Sequence, residues 1–222
     1  MTTTAIVNAD MFRLAANFMA KNDVRFYLNG IAIQPHESEG AYIVATDGHV
    51  LGVFHDAGAW APTEPIVVQP SKDLLKACKA YKREVNDRSL QVTDERQTVR
   101  RDTGEEVMSE PLNLIDGRFP EWGRVVPKEL PEEPHNACFD MALMKRFEAV
   151  ALGHGKMPTQ APMTVHPSPN EGSALVLTPR HDFVGVIMPM RAESAGALMD
   201  VPKWLTGESK TQEDHWKEDQ AA

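Results

Sequence analysis

An α+β fold of repeated β-α-β-β-β units, with helices on one face of antiparallel sheets, is what this sequence predicts. Three observations carry the prediction. Short apolar, β-branched runs recur between turn-forming residues; three amphipathic stretches of helical period each follow such a run and a capping residue; and three more strand-like runs follow each helix. A helix on one side only of a half-buried antiparallel sheet needs a neighbour to cover it, so the units should pair.

The first unit runs from Ala5 to Asp56. Ala5-Ile6-Val7 reads as a strand, and Asn8 or Asp10 can cap the helix after it. Met11, Leu14, Ala15, Phe18 and Met19 share one face of that helix, with Arg13, Asn17 and Lys21 on the other. Strands are predicted over 25–33, 41–46 and 49–55, the last two joined at Asp47-Gly48, a dipeptide that supplies positive φ at little steric cost. A loop over 57–64 then leads to the second unit. Ile66-Val67-Val68 is its first strand, Ser71 its N-cap, and the spacing predicts a helix over 72–85. Lys72, Lys76, Lys79 and Arg83 fall within roughly a 60° arc, with Leu74, Cys78, Tyr81 and Val85 opposite. Strands follow over 89–93, 97–101 and 107–115. A third start appears at His135 to Phe139; Asp140 caps a helix over 141–152, and strands are predicted near 162–166, 173–178 and 183–190.

Composition narrows the function classes. The 222 residues are 42% apolar, enough for one large or two small domains. No apolar run is long enough to span a membrane, and the N-terminus lacks a basic-then-apolar leader, so the expectation is a cytoplasmic protein without a membrane partner. Cys78 and Cys138 have no Cys-x-x-Cys or zinc-ligand spacing and read as reduced thiols. A formal charge of −9 argues against nucleic-acid binding by the whole surface while leaving room for a basic stripe. Residues 192–222 hold seven acids and three lysines, contribute −4 of that charge, and are expected to be a disordered tail.

No enzyme signature emerges, and no cofactor or metal is expected. Gly153-His154-Gly155-Lys156 lacks the first glycine of a phosphate loop, where Val150 stands, and its Ser or Thr, where Met157 stands. Asp47 and His49 are near enough to suggest an acid–base pair, but alternate positions beside a turn more commonly serve geometry.

Four stretches, taken in order, resemble one family. Arg25-Phe26-Tyr27-Leu28-Asn29-Gly30, then Ala45-Thr46-Asp47-Gly48-His49, then Leu114-Ile115-Asp116-Gly117-Arg118-Phe119-Pro120-Glu121-Trp122-Gly123-Arg124-Val125-Val126-Pro127, then Val186-Ile187-Met188-Pro189-Met190-Arg191 look like segments of the β sliding clamp of bacterial DNA polymerase III. The resemblance implies a DNA-clamp-like fold. Residues 1–127 match a complete middle domain of two units. Residues 128–191 match one unit, opening like the family's last domain and closing with its final strand.

The same resemblance assigns sites. Clamps bind linear peptides of polymerases and clamp loaders between the middle and last domains, and the matching positions are Leu28, Thr46, Gly48, His49, Leu51, Pro127, Met188, Pro189 and Met190. Methionine suits a groove that serves several partners, because its side chain is flexible and polarizable. Val50 stands where the family usually has arginine. Clamp helices turn basic side chains toward double-stranded DNA, which assigns Lys72, Lys76, Lys79 and Arg83 to the DNA face, with Arg13, Lys21, Lys145 and Arg146 as further members. Such contacts are sequence-independent. A solvated lysine face is the alternative.

A lone third unit leaves a sheet edge to be covered, so self-association is expected. The family's ring uses twelve units; four chains of three would supply them, and a dimer pairing the third units is the simpler substructure. The implied function is a non-catalytic processivity factor for DNA replication. The alternative is a clamp-derived protein that binds replication proteins without encircling DNA. Trp204 and Trp216, with Val201-Pro202-Lys203-Trp204-Leu205, suggest a tail that docks on a partner or folds back into the pocket.

Overall fold

Asn8, Ser71 and Asp140 each stand at the start of a helix with a side-chain oxygen accepting from the helix's first free amides, and these three caps mark three units. The computed structural model describes residues 2–79, 88–127, 137–152, 161–168 and 172–191. Met1–Pro189 forms one compact unit and Met190–Ala222 a second; every element below lies in the first. The second helix, expected to residue 85, ends at Cys78 with Lys79 extended; residues 80–85, the Gly153–Lys156 stretch and the 192–222 tail lie outside the described residues.

The first unit comprises β1 (Thr3–Asn8), α1 (Ala9–Ala15), β2 (Ile31–Pro35), β3 (Ala41–Thr46) and β4 (Val50–Asp56). The second comprises β5 (Ile66–Val68), α2 (Lys72–Cys78), β6 (Ser89–Thr93), β7 (Arg96–Arg100) and β8 (Glu106–Pro111). The third has α3 (Met141–Met144), a 3-10 turn at Lys145–Phe147, α4 (Glu148–Ala151), β9 (Thr164–His166), β10 (Ala174–Leu177) and β11 (Phe183–Ile187). This is the expected α+β architecture, with differences of detail: the helix expected over 141–152 is interrupted by the 3-10 turn, and the strand expected over 107–115 ends at Pro111. The first predicted strand begins at Ile31, because residues 26–29 form a 3-10 turn; Asn29 closes it by accepting from the Asp23 amide at 2.9 Å and donating to the Asp23 carbonyl at 2.9 Å. Residues 137–139, the described part of the strand expected over 135–139, are not in strand conformation.

Two antiparallel sheets result. One is four-stranded, in the order β1-β6-β7-β8; the other is seven-stranded, in the order β5-β2-β3-β4-β11-β10-β9. The first and third units therefore share one sheet through the β4–β11 seam, where Gly52 stands opposite Gly185. A Cβ on Gly52 would lie 2.3 Å from Phe18 Cδ2, and one on Gly185 2.4 Å from Phe147 Cε1. Bare backbone at both positions lets the two rings lie directly on the sheet. Phe18 and Phe147 are 5.0 Å apart between centroids, and Phe183 meets Phe18 at 5.7 Å and Phe54 at 4.7 Å. These rings join α1, the third unit's helical run and the seam into one apolar core, with Phe12 and Leu14 of α1 and Leu74 and Cys78 of α2.

A smaller core lies on the opposite face of the seven-stranded sheet. Ala32, Val44, Leu51, Val53, Val67 and Val186 alternate with the helix-side residues and are covered by Ile115, Phe119, Trp122 and Val126 from the strap that follows β8. The strap is pinned by backbone: Gln69 N donates to Asn113 O and Ile115 N to Val67 O, both at 2.9 Å. Trp122 Nε1 donates to Gln34 Oε1 at 2.9 Å, and the indole meets Tyr42 edge-on at 5.1 Å.

Candidate partner-peptide pocket and nucleic-acid face

The turn between β3 and β4 is built from its own side chains. Asp47 Oδ1 accepts from the amides of His49 at 2.8 Å and Val50 at 3.0 Å, Thr46 Oγ1 donates to Val50 O at 2.7 Å, and Gly48 takes φ +93°. Asp47 Oδ2 also lies 2.6 Å from Arg146 Nη1 of the third unit. Every oxygen of this carboxylate is thus engaged in holding backbone or joining units, which suits the geometric role expected of Asp47. The turn carries His49 into the open, and its carbonyl accepts from Met188 N at 2.8 Å, just past the seam.

Beside this turn, on the face away from the helices, lies a hollow of about 210 Å³. Leu28, Thr46, Gly48, His49, Leu51 and Met188 line it, six of the nine positions expected from sequence. They come from the 3-10 turn, β3, β4 and the end of β11, so the seam is what assembles them. Pro127 and Pro189 are half-buried and outside the lining, and Met190, 39% exposed, follows the end of this unit.

The opposite wall was not individually predicted: Pro120, Glu121, Trp122 and Val125 of the strap, with Arg25, Tyr27, Val50 and Val186. All but Val50 lie in the stretches whose wording signalled the family, but nothing local says that a strap will fold across a distant seam. Val125 is 46% and Met188 39% exposed, so apolar surface is offered to solvent at the mouth. A second hollow, of about 510 Å³, shares Pro120, Glu121 and Trp122 as a wall and is otherwise lined by Gln34, Glu64, Val67 and Phe119 among others.

The rim of the pocket is charged. Arg25 Nε and Nη2 donate to the two Asp23 carboxylate oxygens at 3.0 and 2.8 Å, and Nη2 also donates to Asp47 O at 3.2 Å. The Arg25 hydrogen bonds hold the Asp23 carboxyl down at about 2, and Asp23 in turn raises the guanidinium above its ordinary value. Across the mouth, Glu121 pairs with Arg118 at 3.1 Å and Arg124 at 2.5 Å.

The basic residues assigned to DNA divide into two groups. Lys72, Lys76 and Lys79 are exposed along or just past α2, and Lys21 and Lys145 are exposed as well. Lys76 Nζ contacts Asp73 at 2.8 Å in a fully solvated pair, whose hydrogen bond lowers the Asp73 carboxyl. Arg13 and Arg146 are committed elsewhere: Arg13 is bound through Nε and Nη2 to the buried Asp10, at 2.9 and 2.6 Å, and Arg146 to Asp47. Arg83 lies outside the described residues. Among those residues no group of three or more His, Cys, Asp or Glu is placed to hold a metal ion, and no helix is long and apolar enough to cross a membrane.

Strand–helix–strand repeats that exchange their first strands, a helix layer on one side of the sheets, and an apolar hollow at the seam between units define a DNA-clamp-like protein. The comparisons agree with that class and give the family. Residues 10–121 match the family model described as DNA polymerase III beta subunit, central domain, and the chain belongs to this family. It is 32% identical over 139 residues to the beta sliding clamp of Escherichia coli K12, covering 62% of this chain and 36% of that protein, and 34% identical over 111 residues to that of Proteus mirabilis, covering 50% and 29%. The chain thus spans about a third of the length of the curated relatives it matches. In fold it is similar to the Pseudomonas aeruginosa DNA polymerase sliding clamp, with a TM-score of 0.56 at 19% identity, covering 86% of this chain and 66% of that one. The H. pylori β clamp in complex with diflunisal gives 0.58 at 13% identity, with 86% and 67% covered.

Proposed function

We propose that this protein is a cytoplasmic, non-catalytic accessory factor of DNA replication that holds a polymerase or clamp-loader peptide in the hollow beside the β4–β11 seam and faces duplex DNA with its helix layer. The observation that carries the reading is the hollow itself: six residues expected from sequence converge there from the 3-10 turn, β3, β4 and the end of β11, with Met188 and Val125 exposed at its mouth. A small apolar hollow with a charged rim suits a linear peptide with an apolar anchor. Exposed Lys72, Lys76 and Lys79 would supply sequence-independent phosphate contacts, and self-association would extend the arc around the duplex.

A second reading is favoured by two specific contacts. Arg13 and Arg146 are engaged by Asp10 and Asp47, which leaves lysines to serve DNA on a chain of net charge −9. In that reading the protein binds replication proteins through the same hollow and never encircles DNA.

Fluorescence anisotropy separates the two. A labelled peptide from the clamp-binding end of a bacterial DNA polymerase III catalytic subunit should bind, and Met188→Asp should weaken it by about tenfold or more, because a charge enters an apolar contact. Duplex DNA should bind with affinity that falls steeply with salt and is lost when Lys72, Lys76 and Lys79 are changed together to Ala. Peptide binding without DNA binding selects the second reading; absence of peptide binding overturns both.

A further inference from the structure

The strap that walls the peptide hollow has a second side. Ile115 N donates to Val67 O and Trp122 Nε1 to Gln34 Oε1, each at 2.9 Å, so the strap is pinned to the sheet at two places. Residues 117–123, which run up to and past the second pin, line the larger hollow of about 510 Å³, with Pro120, Glu121 and Trp122 in common with the first. Val67 of β5 and Phe119 of the strap contribute nearly buried apolar surface to it.

Two polar groups of this hollow are unused by the fold. Gln34, half-buried, accepts from the indole through Oε1; that bond fixes the amide and leaves Nε2 with no acceptor among the described residues. Glu64, in the loop before β5, is exposed and has no cation or donor among those residues. The other charged groups of the lining are matched: Arg118 lies 3.1 Å from Glu121, which also takes Arg124, outside the lining, at 2.5 Å. Two acids against one arginine leave the lining with a net charge of −1, and the unmatched group is Glu64.

We propose that the partner peptide carries a Lys or Arg beside its apolar anchor and seats it in this second hollow, so that one peptide straddles Pro120, Glu121 and Trp122. The proposal rests on the reading of the first hollow as the peptide site. The chemistry matches part by part. The apolar stem of a basic side chain lies against Pro65, Phe119 and the Trp122 ring, the cationic head meets Glu64, and a peptide carbonyl accepts from Gln34 Nε2. Continuity supports it as well, because the two hollows share one three-residue wall. Extended peptide advances about 3.3 Å per residue, so a few flanking residues suffice to cross such a wall.

Fluorescence anisotropy on the full chain tests this with two labelled peptides of equal length. Both carry the same apolar anchor with four residues on each side; the flanks hold Lys and Arg in one and Gln in the other. The basic peptide should bind about fivefold more tightly. Glu64→Gln should remove that preference while leaving the Gln-flanked peptide unchanged, which also shows the fold intact. Glu95→Gln, at an exposed acid in the turn between β6 and β7, should keep the preference, and Met188→Asp should weaken both peptides alike. Equal affinities for the two peptides overturn the proposal and leave the first hollow as the peptide site. So does a preference that survives Glu64→Gln, or one that Glu95→Gln removes as fully, since general attraction to a chain of net charge −9 then accounts for it. Failure of both peptides to bind overturns the peptide reading itself and this proposal with it.

Discussion

On the helix side of the seven-stranded sheet, Phe18, Phe54, Phe147 and Phe183 are almost wholly buried and in ring contact with one another. On the other side the same strands present Ala32, Val44, Leu51, Val53 and Val186, smaller side chains that are buried as well, beneath the strap. Large rings meeting ring to ring leave no room for a ligand. Small residues under a strap held by a few backbone bonds and one tryptophan leave a hollow. The contrast sets a closely packed ring cluster on one face against the candidate pocket on the other, and it can be broken from either side.

The largest effect should come from Phe147→Ala. The ring is fully buried and reaches the Phe18 and Phe183 rings across the first and third units, so its removal should cost about 3–5 kcal/mol. Urea unfolding followed by circular dichroism would measure it as a lower midpoint with an unchanged slope. A loss below about 1 kcal/mol would mean that the seam does not depend on the aromatic cluster, since large costs come from well-packed sites.

Gly185→Ala should come next. The new methyl would fall 2.4 Å from Phe147 Cε1, and that ring is hemmed by Phe18 and Phe183, so overpacking should cost about 1–3 kcal/mol. The comparison sharpens in a double-mutant cycle: in a Phe147→Leu background the same substitution should cost less, and strict additivity would show that the clash is relieved elsewhere.

Trp122→Ala tests the other face. It removes the edge-on contact with Tyr42 and the bond to Gln34, for a loss of about 1–2 kcal/mol, while taking away a wall shared by both hollows. Peptide affinity should fall by more than stability does. Equal effects would indicate that the strap acts only through folding.

Much of this was legible in the sequence because it is local. The Asp47-Gly48 turn with its flanking strands, and the caps at Asn8, Ser71 and Asp140, depend on residues within three or four positions of one another. The 3-10 turn at residues 26–29 was read as strand because Phe26, Tyr27 and Leu28 have high β-propensity, whereas Asp23 and Asn29, six positions apart, decide the matter by closing the backbone on itself. Gly52 and Gly185 gave no signal: a glycine within an apolar run suggests a bulge or a close approach, but the approaching ring is named only once β4 and β11 are in register. The strap wall of the pocket was hidden for the same reason. Pro120, Trp122 and Val125 sit in a stretch whose wording marked the family, and their work is done against strands roughly seventy residues away in either direction.

The smallest expected effect lies at the rim of the pocket. Asp23 lies at the surface, only partly exposed, and its carboxyl is held at about 2, below the ordinary 3.8, chiefly by the hydrogen bonds from Arg25. A folded-state value below the unfolded one contributes stability at any pH above about 3.8, and that contribution is lost as the pH falls through about 2. Across the neutral range the Asp23–Arg25 pair should therefore stay ionised, and any change in peptide affinity between pH 5 and 8 must come from another group. A carboxyl-carbon NMR titration would place the Asp23 midpoint near 2 and, in Arg25→Ala, move it back toward 3.8. If the midpoint already stands near 3.8 in the unmodified protein, Arg25 is not held by Asp23 and is free to swing over the hollow, and the recognition face would be less organised than its contacts imply.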